Sequence, residues 1–276
     1  MNNLLTNPAI QSGIIPFVVA LIAAWALRRA GWVWSGLGFA IAYYTSVYLA
    51  AGFQFTPLTS TRKILILGVA AIAVGLLLDF LKPKPRYITI ATVIAGAIAV
   101  IWVIWPVLAR QEGANYWIML VASLIYTGWI AAATESLRNK TDQGAMVALA
   151  LGLGTGVSAM LGSSALLGQL GIAIGAVGGA YLLLQLFKQP TRCGSSFTLP
   201  IGLLSGLLAT SAVLYAKLPW YSLLPLALIP LTAYIPVRGE LSKFKQLLLL
   251  AAFTLPLTLI SIVITWTTGS SGESIY

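Results

Sequence analysis

Two of the few acidic side chains in this sequence stand where a carboxylate could do chemistry. Asp79 and Glu135 lie at the ends of long apolar stretches, and each is followed three residues later by a basic residue, Lys82 or Arg138. Such a carboxylate can bind a proton, act as a gate, or pair with its basic neighbour at a membrane surface. We expect the surface pair, with an inner gate or proton acceptor as the alternative. No charged residue falls near the middle of an apolar stretch, so a carboxylate relay across a membrane is not expected.

The side chains that most enzymes use are scarce. The sequence has no histidine and one cysteine, Cys193, which excludes an intramolecular disulfide and argues against a His/Cys metal site or a haem. It pairs no nucleophile with a base and has no glycine-rich phosphate loop before a Lys and a Ser or Thr. We therefore expect no catalytic residue, no metal, no cofactor and no enzyme activity. One loop cluster could hold a phosphate or a lipid head group, although solvated charges that orient the protein are the expected role: Glu135, Arg138, Asp142, Arg238 and Glu240.

Prolines and neutral polar residues inside apolar segments mark where a solute could pass. A proline within a helix removes a backbone donor and leaves a carbonyl unpaired. Transporters bind solutes at such broken helices near the middle of the membrane, but proline is also common in ordinary membrane helices. Hydroxyl side chains can likewise bond back to their own helix. The candidates for a transport path are Thr45, Ser46, Gln169, Pro225, Pro230 and Pro256.

Small residues recur at every fourth position between Gly144 and Phe187, in two apolar stretches joined by a short turn. This spacing places them on one face of each helix, where two backbones can approach closely. The sequence therefore predicts a tightly packed helical hairpin at the centre of the molecule, and a homodimer face is the alternative. The predicted packing glycines are Gly152, Gly156, Gly171, Gly175 and Gly179.

The elements that must position these residues are membrane helices. Of the 276 residues, 59% are hydrophobic and 8% are charged, whereas a soluble domain has about 25% charged residues. Crossing a bilayer takes about 20 apolar residues in a helix. We predict an all-α, multi-pass membrane protein with a single domain over 1–276 and about ten transmembrane helices. If these form two halves of five helices, the odd number of helices in each half makes the second half inverted in the membrane, a 5+5 arrangement found in transporters. The predicted segments are 10–27, 32–51, 64–81, 87–108, 116–134, 144–161, 165–187, 197–216, 220–236 and 246–266.

The loop charges predict an orientation. Arg28 and Arg29 directly follow the first segment, and cytoplasmic loops are richer in Lys and Arg. With alternating loops, 12 of the 16 basic residues fall inside and 4 outside, and both termini face outward, in the cell (inner or plasma) membrane. The net charge of +10 then indicates anionic lipid at the inner face rather than nucleic acid. The inner set is Arg28, Arg29, Lys82, Lys84, Arg86, Arg138, Lys140, Lys188, Arg192, Arg238, Lys243 and Lys245, and the outer set is Arg62, Lys63, Arg110 and Lys217.

These features favour a permease for a neutral or amphiphilic small solute. A non-catalytic accessory subunit of a larger membrane complex is the alternative, since short loops and an apolar core suit it equally well. A membrane-embedded enzyme ranks third. A polar cavity at mid-membrane beside Pro225 and Pro230 would favour transport, and a solid bundle with a large exposed apolar flank would favour the subunit.

Overall fold

Helices account for the regular structure of the chain. The computed structural model describes residues 7–53, 56–162, 164–187, 191–216, 218–235 and 242–270, and these form helices and no strand. A π-helical turn, Ile10–Ile14, precedes α1, and a 3₁₀ turn, Trp220–Ser222, precedes α10. In chain order the helices are α1 (Ile15–Leu27), α2 (Trp32–Ser35), α3 (Leu37–Ala51), α4 (Ser60–Leu81), α5 (Pro85–Leu108), α6 (Ala114–Glu135), α7 (Thr141–Leu161), α8 (Ala165–Leu186), α9 (Ser195–Tyr215), α10 (Leu223–Thr232) and α11 (Lys243–Ser270).

The lengths of these helices confirm the predicted all-α, multi-pass membrane fold. Within the described residues, eight helices are long and apolar enough to cross a membrane: Ile10–Leu27, which includes α1, and the helices α4, α5, α6, α7, α8, α9 and α11. Each of them matches one predicted segment, with ends that differ by a few residues. The arrangement in two inverted halves stays a prediction.

Two of the ten predicted segments differ from a full span. The segment 32–51 consists of α2 and α3, which meet at Gly36. The segment 220–236 contains helix only over Trp220–Thr232. A 3₁₀ turn followed by ten α-helical residues covers about 20 Å, less than the apolar thickness of about 30 Å. The predicted end at Pro236 lies outside the described residues.

Helix α9 occupies the centre of the bundle. In its most apolar window of 18 residues, 89% of the residues are buried, compared with 72% for α7 and for α8 and 28% for α11. It packs mainly on α4 and α6, and also on α7, while α7 and α8 form the most extensive helix pair. The sequence predicted the hairpin at the centre; the structure places the hairpin beside a more deeply buried helix.

Loops that carry most of the basic residues meet at one end of the bundle, which we call the basic end. There the backbone N–H of Gly194 donates to the carbonyl of Arg138 at 3.1 Å, and Lys243 Nζ lies 2.7 Å from Asp142 Oδ2. At the opposite end, the hydroxyl of Ser60 donates to Tyr215 Oη at 2.8 Å. The assignment of the basic end to the cytoplasm stays a prediction from charge. Lys188, Lys217, Arg238 and the extreme termini lie outside the described residues.

Candidate functional site at the basic end

The start of α9 is held by a buried carboxylate on α4. The first N–H groups of a helix have no partner within the helix and favour a negative charge. Asp79 supplies that charge: its Oδ1 accepts the N–H of Ser195 at 2.7 Å, and its Oδ2 accepts the N–H of Ser196 at 2.9 Å. Gly194 precedes them at φ +62°, where a Cβ would lie 2.6 Å from Asp79 Oδ2. Glycine therefore permits both the turn and the close approach of the carboxylate.

A second buried carboxylate, on α6, binds the same turn of α9. Glu135 accepts a hydrogen bond from the hydroxyl of Ser195 and another from Thr198 Oγ1 at 2.7 Å. Arg138 Nη1 lies 3.8 Å from Glu135 Oε1, at the limit of an ion pair. Asp79 is 5% exposed and Glu135 is 2% exposed. We call this arrangement the carboxylate clamp; its members are Asp79, Glu135, Ser195, Ser196 and Thr198.

The expected pair of Glu135 with Arg138 is present at 3.8 Å, but both acids are buried and do not lie at the surface as the sequence predicted. Both carboxylates lie in the interior and use hydrogen bonds from α9, which compensate for the loss of water around a buried charge. The sequence contained one signal for this contact. Gly194-Ser195-Ser196 is a typical start of a helix, whereas apolar character alone placed the start at residue 197.

A cleft opens beside the clamp at the basic end. Its volume is about 540 Å³, and its walls include the cations Lys82, Arg138 and Arg192 together with Asp79. The three cations come from three different connections: the end of α4, the loop after α6 and the loop before α9. We call this cavity the basic cleft.

A second cleft of about 450 Å³ adjoins the basic cleft and shares Asn139 and Thr141 with it. Its walls include the ion pair of Lys243 with Asp142. Gln143 contributes a buried Oε1 that accepts no hydrogen bond from the described residues. Lys140 also lines the second cleft, which therefore has two cations and one carboxylate and a smaller excess of positive charge than the basic cleft.

The predicted transport-path residues do not gather at these clefts. Thr45 Oγ1 donates to the carbonyl of Ile41 within its own helix at 2.7 Å, and Ser46 Oγ donates to the carbonyl of Gln11 at 2.7 Å. Gln169 is half-buried in α8. None of the six candidates lines either cleft.

The prolines among these candidates act differently from one another. Pro225 stands in the first turn of α10, where its missing N–H would have had no helical partner. Pro230 lies inside α10 and is buried, and Pro256 lies inside α11 and is exposed. Pro225 therefore helps to begin a short helix and does not break a long one.

The glycines of α7 and α8 bring the two backbones together. A Cβ on Gly152 would lie 2.6 Å from the Cα of Gly175, and a Cβ on Gly171 would lie 2.5 Å from the Cα of Gly156. The close contact continues at Gly178, whose added Cβ would meet the Leu149 nitrogen at 2.5 Å. At Gly179 the nearest atom would be 3.6 Å away, on Phe17, which is an ordinary contact. The glycines of α8 that contact α7 are thus spaced by four residues from Gly171 to Gly175 and by three from Gly175 to Gly178.

Buried hydroxyls without partners lie mostly in the central helices. Among the described residues, the buried hydroxyls that form no hydrogen bond are those of Ser35 in α2, Tyr43 in α3, Thr127 and Thr134 in α6, Thr155 in α7, and Ser196, Ser205 and Ser211 in α9. The exposed fraction of each of these residues is at most 2%. Thr127 lies eight residues before the end of α6, which is about 12 Å along the helix from the basic end. None of these residues is among the transport-path candidates selected from the sequence.

Cys193 is also buried, in the connection before α9. Its thiol lies 3.9 Å from the carbonyl of Thr141. Burial raises the pKa of the Cys193 thiol, and the nearby carboxylates of Asp142 and Asp79 add to this effect. The thiol therefore stays protonated and weakly reactive.

Comparison with the models of known protein families and with curated protein sequences finds no match for this chain.

Proposed function

We propose that this protein is a permease for small neutral or amphiphilic solutes that form hydrogen bonds. The observation that carries the proposal is the set of unpaired hydroxyls in α6, α7 and α9. A buried polar group without a partner destabilises a protein by about 1–3 kcal/mol. A Ser or Thr in a membrane helix can avoid that penalty by bonding to its own helix, as Thr92 does in α5 at 2.8 Å. Hydroxyls kept unpaired inside the bundle are therefore available for a solute.

The contact between α6 and α9 is where this path would open. A Cβ on Gly206 would lie 3.0 Å from Thr127 Cγ2, and one on Gly202 would lie 2.9 Å from Thr134 Cβ, so the two helices are closely packed in the present conformation. Movement of α9 away from α6 would expose the hydroxyls to a solute. The carboxylate clamp ties the basic end of α9 to α4 and α6 and would serve as the gate on that side. We place the protein in the cell membrane with the basic end in the cytoplasm.

Reconstitution in liposomes tests the proposal. Wild-type protein and empty liposomes are compared for osmotic swelling in glycerol, ribitol and urea, which are neutral solutes with hydrogen-bonding groups. We expect faster uptake of at least one of them with the wild-type protein. Thr127→Val, which keeps the shape and removes an unpaired hydroxyl, should reduce that uptake.

Thr92→Val is the matched control, because it removes a buried hydroxyl that already bonds within its own helix. Equal uptake by the wild-type protein and Thr127→Val would contradict a transport path along the unpaired hydroxyls. No uptake of any probe, together with a second protein that remains bound through purification in mild detergent, would favour the accessory subunit instead.

A further inference from the structure

The basic cleft holds more positive than negative charge. Three cations, Lys82, Arg138 and Arg192, line it together with one carboxylate, Asp79. Both oxygens of Asp79 accept N–H groups of α9, and Arg138 lies at the limit of an ion pair with the buried Glu135. Among the described carboxylates, none lies within ion-pair distance of Arg192. The cleft therefore has a net positive charge that can attract an anion.

The size and lining of the cleft suit a phosphate group. Its volume of about 540 Å³ lies within the range of about 300–1,000 Å³ for small-molecule sites. Arginine presents a planar set of donors that matches phosphate oxygens, and lysine adds a compact positive charge. Thr141 and Ser195 place polar side chains in the same wall. The cleft stands at the helix ends, where the phosphate groups of a bilayer lie.

The backbone conformation of Lys82 is a second, independent observation in favour of a binding site in this cleft. Lys82 ends α4 at φ +47° and ψ +50°, the left-handed conformation that glycine most often supplies after a helix. It is the one described residue other than glycine with positive φ. A side chain at this position strains the backbone relative to glycine. Such strain is concentrated at functional sites, and here the strained residue brings an ammonium group to the cleft.

We propose that the basic cleft binds the phosphate group of an anionic ligand through Lys82, Arg138 and Arg192. The ligand is either the head group of an anionic lipid in the adjoining leaflet or a soluble phosphate compound. The site adjoins the proposed gate, because Asp79 and Ser195 of the carboxylate clamp line it, whereas none of the unpaired hydroxyls of α6, α7 and α9 named above does.

Binding is measured as a concentration-dependent rise of the melting temperature of the full-length protein in detergent. The probes are inorganic phosphate, dioctanoyl phosphatidic acid, and dioctanoylglycerol as the lipid that lacks phosphate. We expect at least one phosphate probe to bind more tightly than dioctanoylglycerol. Binding of phosphatidic acid without inorganic phosphate assigns a lipid head group, and binding of both assigns a site open to soluble phosphates.

Arg192→Gln should weaken this binding about tenfold or more, as expected for the loss of a charge-assisted hydrogen bond. Lys82→Gly should weaken it similarly, and glycine keeps the left-handed backbone at this position. Lys245→Gln is the control: it removes one charge from the exposed start of α11, outside the cleft, and should change binding by about twofold or less.

Two results would overturn the proposal. One is that neither phosphate probe binds more tightly than dioctanoylglycerol. The other is that Lys245→Gln weakens binding as much as Arg192→Gln and Lys82→Gly do, which would mean that the whole basic end attracts anions and the cleft adds nothing.

Discussion

Asp79 and Glu135 bind the same residue from two different helices. Asp79 accepts the backbone N–H of Ser195 at 2.7 Å, and Glu135 accepts its side-chain hydroxyl. Helices α4, α6 and α9 are thereby joined at one residue of the basic end. Because each carboxylate is nearly inaccessible to water, loss of its partners would leave a buried charge uncompensated.

Replacing Asp79 with Asn tests how strongly the clamp holds α9. An amide has one oxygen, so its NH₂ group would face one of the two N–H donors of Ser195 and Ser196. We expect a loss of about 1–3 kcal/mol in stability, seen as a lower melting temperature in detergent. Asp142→Asn is the control, because Asp142 forms a partly exposed pair with Lys243 that contributes about 0–1 kcal/mol. Equal melting temperatures for the two variants would mean that the clamp does not stabilise the fold.

Adjacent glycines in α8 provide a test of the close helix contact. Gly178→Ala would place a Cβ 2.5 Å from the backbone nitrogen of Leu149, and overpacking of this kind destabilises by about 1–3 kcal/mol. Gly179→Ala meets ordinary contacts, and alanine favours a helix over glycine by about 1 kcal/mol in water. We therefore expect Gly178→Ala to melt at a lower temperature than the wild-type protein, and Gly179→Ala to melt at the same temperature or higher. The reverse order would contradict the observed row of contacts.

Thr127→Val should stabilise the protein while it reduces transport. Valine keeps the shape of threonine and removes the unpaired hydroxyl, whose burial is unfavourable by about 1–3 kcal/mol. We expect a higher melting temperature for Thr127→Val. Thr92→Val loses a hydrogen bond to Ile88 and should show no such gain. A decrease for Thr127→Val would show that its hydroxyl has a partner that stabilises the fold.

Cys193 should not react with thiol reagents in the folded protein. Because burial raises the pKa of its thiol, the reactive thiolate is less populated at pH 7–8 than in a free cysteine. Mass spectrometry should find Cys193 unmodified by maleimide before unfolding and modified after it. Modification in the folded state would mean that the connection before α9 opens.

The orientation of the protein therefore has to be tested with other residues. In a Cys193→Ala background, Glu112→Cys and Asn139→Cys place single exposed cysteines at the opposite end and at the basic end. If the basic end is cytoplasmic, a membrane-impermeant reagent should label only Glu112→Cys in cells with an intact inner membrane. Labelling of Asn139→Cys alone would reverse the orientation.

Hydropathy and loop charge were sufficient to predict the long helices, because each apolar segment carries its own signal. The clamp was harder to predict, since the burial of Asp79 depends on where α9 begins and on which helices surround it. Glycine spacing located the α7–α8 contact, but an ideal spacing of four selected Gly179 where the real crossing uses Gly178. The short α10 was overestimated because an apolar sequence continues past its last helical residue, Thr232.

The burial of α9 between earlier helices has a consequence for biosynthesis. Helices α4 and α6, which carry Asp79 and Glu135, are made before α9, so both carboxylates lack the hydrogen bonds of α9 until Ser195 leaves the ribosome. A chain stopped before α9 would leave both acids without those hydrogen bonds. Quality control in the membrane could recognise that state, and the arrival of α9 would end it.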